Sequence, residues 1–128
     1  MKAGNLMLND YFSIKKEYDK LIYISNLLHD IKYNEDIDGL YAKYGDIDLS
    51  GMDDFDGDEF TGLCVLATYV EQAFNNKGLS GPVWVYDKRL FLPEPKYFLS
   101  DSPALLLHAM QACLNHNVFM ERNNFEVY

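Results

Sequence analysis

The chain has 128 residues and is 48% apolar and 15% aromatic, which excludes a disordered polymer and fits one domain with a real core. A formal charge of −9 disfavours nucleic acid and anionic lipid as partners, because both require clustered Lys and Arg to displace counterions. No apolar run reaches the length of a membrane span or of a secretory leader, and Cys64 and Cys113 sit in apolar contexts as reduced thiols do. A single cytoplasmic domain covering residues 1–128 is therefore expected.

In chain order, the first element spans about residues 10–33. Ile14, Tyr18, Leu21, Ile24, Leu28 and Ile31 draw one apolar stripe at helical spacing, while Lys15, Lys16, Asp19 and Lys20 fall mostly off it. Asn34 or Asp36 then caps a short helix over 37–44, and Gly45 is expected to end it in a left-handed conformation. The stretch 45–60, GDIDLSGMDDFDGDEF, follows. It holds seven acids and no Lys or Arg, so subtracting its charge from −9 leaves −2 for all other residues.

Phe60, Leu63, Cys64, Ala67, Val70 and Phe74 recur at helical spacing, with Val65, Leu66, Tyr69 and Ala73 on the opposite side. A helix apolar on most faces lies at the centre of a fold. Asp56, Asp58 and Glu59 precede or open it, where the helix dipole favours anions, and Asn75 to Gly78 stop it. Beyond residue 79 the pattern changes. Val83 to Tyr86 and Leu90 to Leu92 bracket the polar Asp87-Lys88-Arg89, which reads either as a β-hairpin or as an extended insertion around 82–98 that Pro93 and Pro95 terminate. Ser102-Pro103 starts another helix carrying Leu105, Leu106, Leu107, Met110, Cys113 and Leu114, and Val118, Phe119, Phe125 and Val127 dock the tail. The expected fold is mainly α, one bundle of four or five helices with that insertion.

Two chemistries compete for the acidic stretch. Asp46-x-Asp48-x-Ser50-Gly51 matches the first six positions of a calcium loop of the EF-hand type, but the twelfth falls on Gly57, where a bidentate Glu is required. Asp46, Asp48 and Ser50 are thus candidate cation ligands one short of a full set, and no cofactor is expected. The alternative to a cation is a solvated or partner-facing acidic surface. Tyr and Trp beside a charged rim anchor protein interfaces, which makes Asp53, Asp54, Phe55, Asp56, Asp58, Trp84 and Tyr86 candidate partner-binding residues.

Other chemistries find less. His108 and Cys113 diverge by about 140° on a helix, so they do not share a face, and His116 reads as a capping or surface residue. Cys113 and His116 are one turn apart, yet Met110 and Leu114 around them favour an inert thiol. There is no phosphate-binding glycine loop and no nucleophile elbow.

From about Leu63 onward the chain resembles a group of uncharacterised bacterial helical domains. The resemblance rests on Gly81-Pro82-Val83-Trp84-Val85, on Leu92-Pro93-Glu94-Pro95-Lys96-Tyr97-Phe98, and on Asn117-Val118-Phe119. Such domains are found near toxin–antitoxin or mobile-element genes, so the resemblance implies a helical fold and an accessory role. It covers about half of the chain and does not reach the acidic stretch. Together these readings favour a non-enzymatic protein–protein interaction domain, of antitoxin or immunity type, with a basic protein partner. The alternatives are a divalent-cation or enzymatic domain built on 46–59, and a homo-oligomer assembled through its aromatic patch.

Overall fold

The computed structural model describes residues 16–45, 49, 55–97 and 111–119. Its elements in chain order are α1 (Glu17–Tyr33), α2 (Ile37–Tyr44), α3 (Gly57–Asn76), a 3-10 turn (Val83–Tyr86), β1 (Lys96–Tyr97), α4 (Gln111–His116) and β2 (Val118–Phe119). The chain is mainly helical, as its periodicity predicts. None of the described helices is long and apolar enough to cross a membrane.

α3 forms the axis, and local chemistry sets both of its ends. Asp56 is its N-cap: the carboxylate accepts from the Glu59 N–H at 2.8 Å, and the Glu59 side chain accepts the Asp56 N–H at 3.3 Å. This reciprocal box satisfies two donors that the first turn leaves open. At the other end Gly78 has φ of 81°, the left-handed region that a residue without Cβ enters freely. The Leu79 N–H then reaches back to the Phe74 carbonyl at 2.9 Å and the Gly78 N–H to Asn75 at 3.0 Å, a Schellman closure. Between these caps every side chain from Leu63 to Phe74 is buried, since α1 covers one side of α3 and α4 another.

α1 contributes Ile24, Leu27, Leu28 and Ile31 to the core. Three of these belong to the predicted stripe, and Leu27 joins them; Ile14 lies outside the described residues. The C-terminus of α1 is closed by a distant cation, because Lys77 Nζ donates to the carbonyls of Lys32 and Asn34, each at 2.9 Å. α2 is capped by Asp36, whose Oδ1 accepts from Gly39 N–H at 3.1 Å, and it buries Leu40 and Tyr44. Gly45 departs from expectation: its φ is −96° and ψ 0°, a right-handed conformation. Glycine serves there by its lack of bulk, since a Cβ would collide with the Tyr41 carbonyl oxygen.

The insertion does not form a hairpin. Trp84 and Val85 are both buried while Val83 and Tyr86 face solvent. Consecutive burial contradicts the two-residue alternation of a strand, and the chain coils into a 3-10 turn after Pro82 instead. The two short strands among the described residues are parallel and distant in sequence, pairing Lys96 with Val118 and Tyr97 with Phe119. Parallel neighbours need a long crossover, and here α4 lies within it. The predicted start of this helix at Ser102-Pro103 lies outside the described residues. Its end is marked by Asn117 at φ 59°, a left-handed position that Asn tolerates.

Candidate functional site

Tyr44 is the residue at which the acidic stretch leaves the helical core. Its carbonyl accepts the Trp84 indole N–H at 2.6 Å. Nearby, Tyr41 Oη donates to the Ser80 carbonyl at 2.5 Å, and Gly45 lies against Pro82. The segment 80–86 is thereby fastened to the C-terminal turn of α2. Trp84 is the fastener, 6% exposed, and so it packs in the core rather than offering a face to a partner. Its neighbours are presented outward, with Val83 88% and Tyr86 46% exposed. Tyr86 is held in place, since its hydroxyl oxygen accepts the Gly81 N–H at 2.8 Å.

Asp46, Asp48, Ser50, Asp53 and Asp54 lie outside the described residues, so the calcium-type spacing falls there as well. No group of three or more His, Cys, Asp or Glu side chains disposed to hold a metal occurs among the described residues. Phe55 is half-buried and packs against the core. Asp56 and Asp58 are exposed at the start of α3, Asp56 with one carboxylate oxygen engaged in the cap. Of the seven partner-binding candidates, the structure thus brings Trp84 and Tyr86 to the root of the acidic stretch.

A second polar cluster sits beneath Tyr44. Asp30 Oδ2 accepts from Lys43 Nζ at 2.8 Å and from Tyr44 Oη at 2.5 Å, with Asn34 Nδ2 at 3.4 Å on the other oxygen. Partial burial raises the Asp30 pKa, but the hydrogen bonds from Lys43 and Tyr44 and the Lys43 charge outweigh it and hold the carboxyl below its usual value. Burial first, and the Asp30 carboxylate second, push the Tyr44 hydroxyl well above the ordinary tyrosine range. The cluster clamps α1 to α2 and leaves Tyr44 in position for its bond with Trp84.

Among the described residues, one buried ionisable pair is a feature that local sequence reading misses. Glu71 and His116 are each 1% exposed, and Glu71 Oε1 lies 3.0 Å from His116 Nε2. His116 Nδ1 is 2.7 Å from the Leu90 carbonyl, and Asn115 Nδ2 donates to Glu71 Oε2 at 2.7 Å. His116 is therefore neither a cap nor a surface residue, and with both ring nitrogens engaged it does not activate Cys113. Burial pushes the Cys64 thiol up to about 12, so it is an inert core sulfur. The one available sequence signal is that Glu71 lies on a helix apolar on most of its faces, and a buried carboxylate requires a partner.

No family model, curated protein or solved structure matches this chain.

Proposed function

We propose that this chain is a non-enzymatic interaction domain that docks a basic protein partner through an acidic, aromatic-bearing face, as an antitoxin or immunity-type protein does. The observation that carries the reading is the Trp84–Tyr44 hydrogen bond. It ties the outward Val83 and Tyr86 to the point where a segment with seven acids and no base departs. Apolar anchors beside a charged rim are the composition of a protein interface. A concentrated negative field also accelerates encounter with a cationic surface.

The reading also draws on how the polar groups of the core are used. Asp30 is closed by Lys43 and Tyr44, Glu71 by His116 and Asn115, and the Cys64 thiol is buried. These groups hold the fold together and present no reactive atom to a substrate.

Capture from the native host tests the proposal. Wild-type protein is expected to retain a basic protein, with retention falling as salt rises. Val83→Asp is expected to weaken retention at all salt concentrations, because it acts on the apolar anchor. The triple change Asp53/Asp54/Asp56→Asn should weaken it mainly at low salt, and Asn at 56 keeps a competent helix cap. Retention that ignores both salt and these substitutions refutes the proposal.

A further inference from the structure

The 3-10 turn Val83–Tyr86 advances three residues per turn, so side chains three apart eclipse one another. Val83 and Tyr86 therefore share one face, and both are exposed, while Trp84 and Val85 on the other sides are buried. The Tyr86 ring does not swing freely on that face. Its Oη accepts the Gly81 N–H at 2.8 Å. Gly81 in turn lies directly on α3, where an added Cβ would come within 3.3 Å of the Glu71 Cα. A ring anchored both at its backbone and at its hydroxyl has little rotamer freedom left to lose when something binds it.

The surroundings of the ring select what it takes. A tyrosine face carries the negative end of the ring quadrupole and attracts a cation within about 6 Å of its centre. Two other tyrosines of this chain already hold such a cation: Lys32 Nζ lies 5.2 Å from the Tyr33 ring centre and Lys43 Nζ 5.5 Å from that of Tyr44. Among the described residues no Lys or Arg stands over Tyr86 in this way. The arginine nearest to it in sequence, Arg89, forks onto Asp87 through contacts of 3.0 and 2.7 Å. The turn also lies where the acidic stretch begins, with Gly45 against Pro82 and the Trp84 indole on the Tyr44 carbonyl. An open aromatic face, an aliphatic neighbour and an excess of negative charge suit a cation that is flat and weakly hydrated. Guanidinium has those properties, whereas ammonium is compact and strongly hydrated.

We propose, on the docking reading above, that the Val83–Tyr86 face is a receptor for an arginine side chain of the basic partner. The guanidinium stacks on the Tyr86 ring, its methylene stem lies on Val83, and the acids of 45–59 supply the counter-charge. Recognition then depends on arginine and not on positive charge alone, and a lysine surface of equal charge docks less tightly.

Titration of the full chain with octa-arginine, octa-lysine and neutral octa-citrulline, followed by calorimetry and NMR, tests the assignment. Wild type should bind octa-arginine about threefold or more tighter than octa-lysine, and both far better than octa-citrulline. In the complex the arginine δ protons should move upfield in the ring current of Tyr86, a measurement that needs no variant. Tyr86→Leu keeps an apolar side chain but no ring, and should abolish the preference for arginine. Tyr86→Phe keeps the ring and should retain it. Tyr33→Leu removes a ring of similar exposure that Lys32 already covers, and should change nothing. Equal binding of the two cationic peptides by wild type, a preference that survives Tyr86→Leu or is lost equally in Tyr86→Phe, or δ protons that do not shift overturns the arginine receptor. Any of these beside Val83-dependent capture of a basic host protein leaves the docking reading standing. Cationic peptides that bind no better than octa-citrulline overturn both.

Discussion

Removing the Trp84 side chain distinguishes a core anchor from a surface anchor. Trp84 is 6% exposed and its indole N–H bonds the Tyr44 carbonyl at 2.6 Å. Truncating a buried Trp to Ala costs about 3–5 kcal/mol through lost transfer energy and the cavity left behind. A surface aromatic costs within about 0.5 kcal/mol when truncated. The milder Trp84→Phe retains much of the apolar volume but orphans the Tyr44 carbonyl, at a cost of about 1–3 kcal/mol. For a chain of this size 1 kcal/mol corresponds to roughly 3–5 °C in Tm. Trp84→Ala should therefore melt about 10–20 °C below wild type, and Trp84→Phe between the two. Trp84 is the only tryptophan, so unfolding in urea is followed by circular dichroism rather than fluorescence. An Ala variant within about 1 kcal/mol of wild type refutes the packing argument and returns Trp84 to the surface.

The same structure makes predictions elsewhere. Asp30 has a folded-state pKa below the ordinary aspartate value of 3.8, so its contribution to stability is present above that value and is lost as pH falls through the lowered one. Asp30→Asn should accordingly lower stability at neutral pH and shrink the difference from wild type in acid, measured by urea titration at both. Cys64 and Cys113 are buried and form no disulfide, and burial pushes the Cys64 thiol up to about 12. A thiol reagent at mildly alkaline pH should label neither until denaturant is added, and rapid native-state labelling would contradict that burial. Gly78→Ala places a Cβ at φ of 81° and should cost about 1–2 kcal/mol. Gly57→Ala, with nothing within 4 Å of its new Cβ in the first turn of α3, should be neutral or stabilising in the same melt.

α3 was legible because its signals are local. The Asp56 cap, the Glu59 partner three residues on and the Gly78 stop act within one turn of the ends they define. The all-round burial of α3 likewise follows from apolar residues on both of its faces. The insertion was read less well. Val83 to Leu92 has strand composition, but β propensity reports fit to a half-buried surface rather than a backbone preference. Here the surface on offer was the α2 carbonyl end, which the Trp84 indole reached, and the chain coiled to let Trp84 and Val85 bury together.

The root of the candidate site was half visible. Tyr86 and Trp84 were both picked out as aromatics beside an irregular segment, and nothing in their spacing says which of the two turns inward. His116 was misread for a related reason: its partner Glu71 is 45 residues away and Leu90 is 26. Composition and periodicity by themselves determined a helical, acidic chain, a central helix with defined ends, and a charge confined to one stretch. Tertiary structure alone decided which aromatic is core, which distant strands pair in parallel, and where a glutamate and a histidine are enclosed together. The first group depends on interactions within a few residues, which a linear pattern encodes. The second depends on desolvation and on partners brought together only when the chain closes.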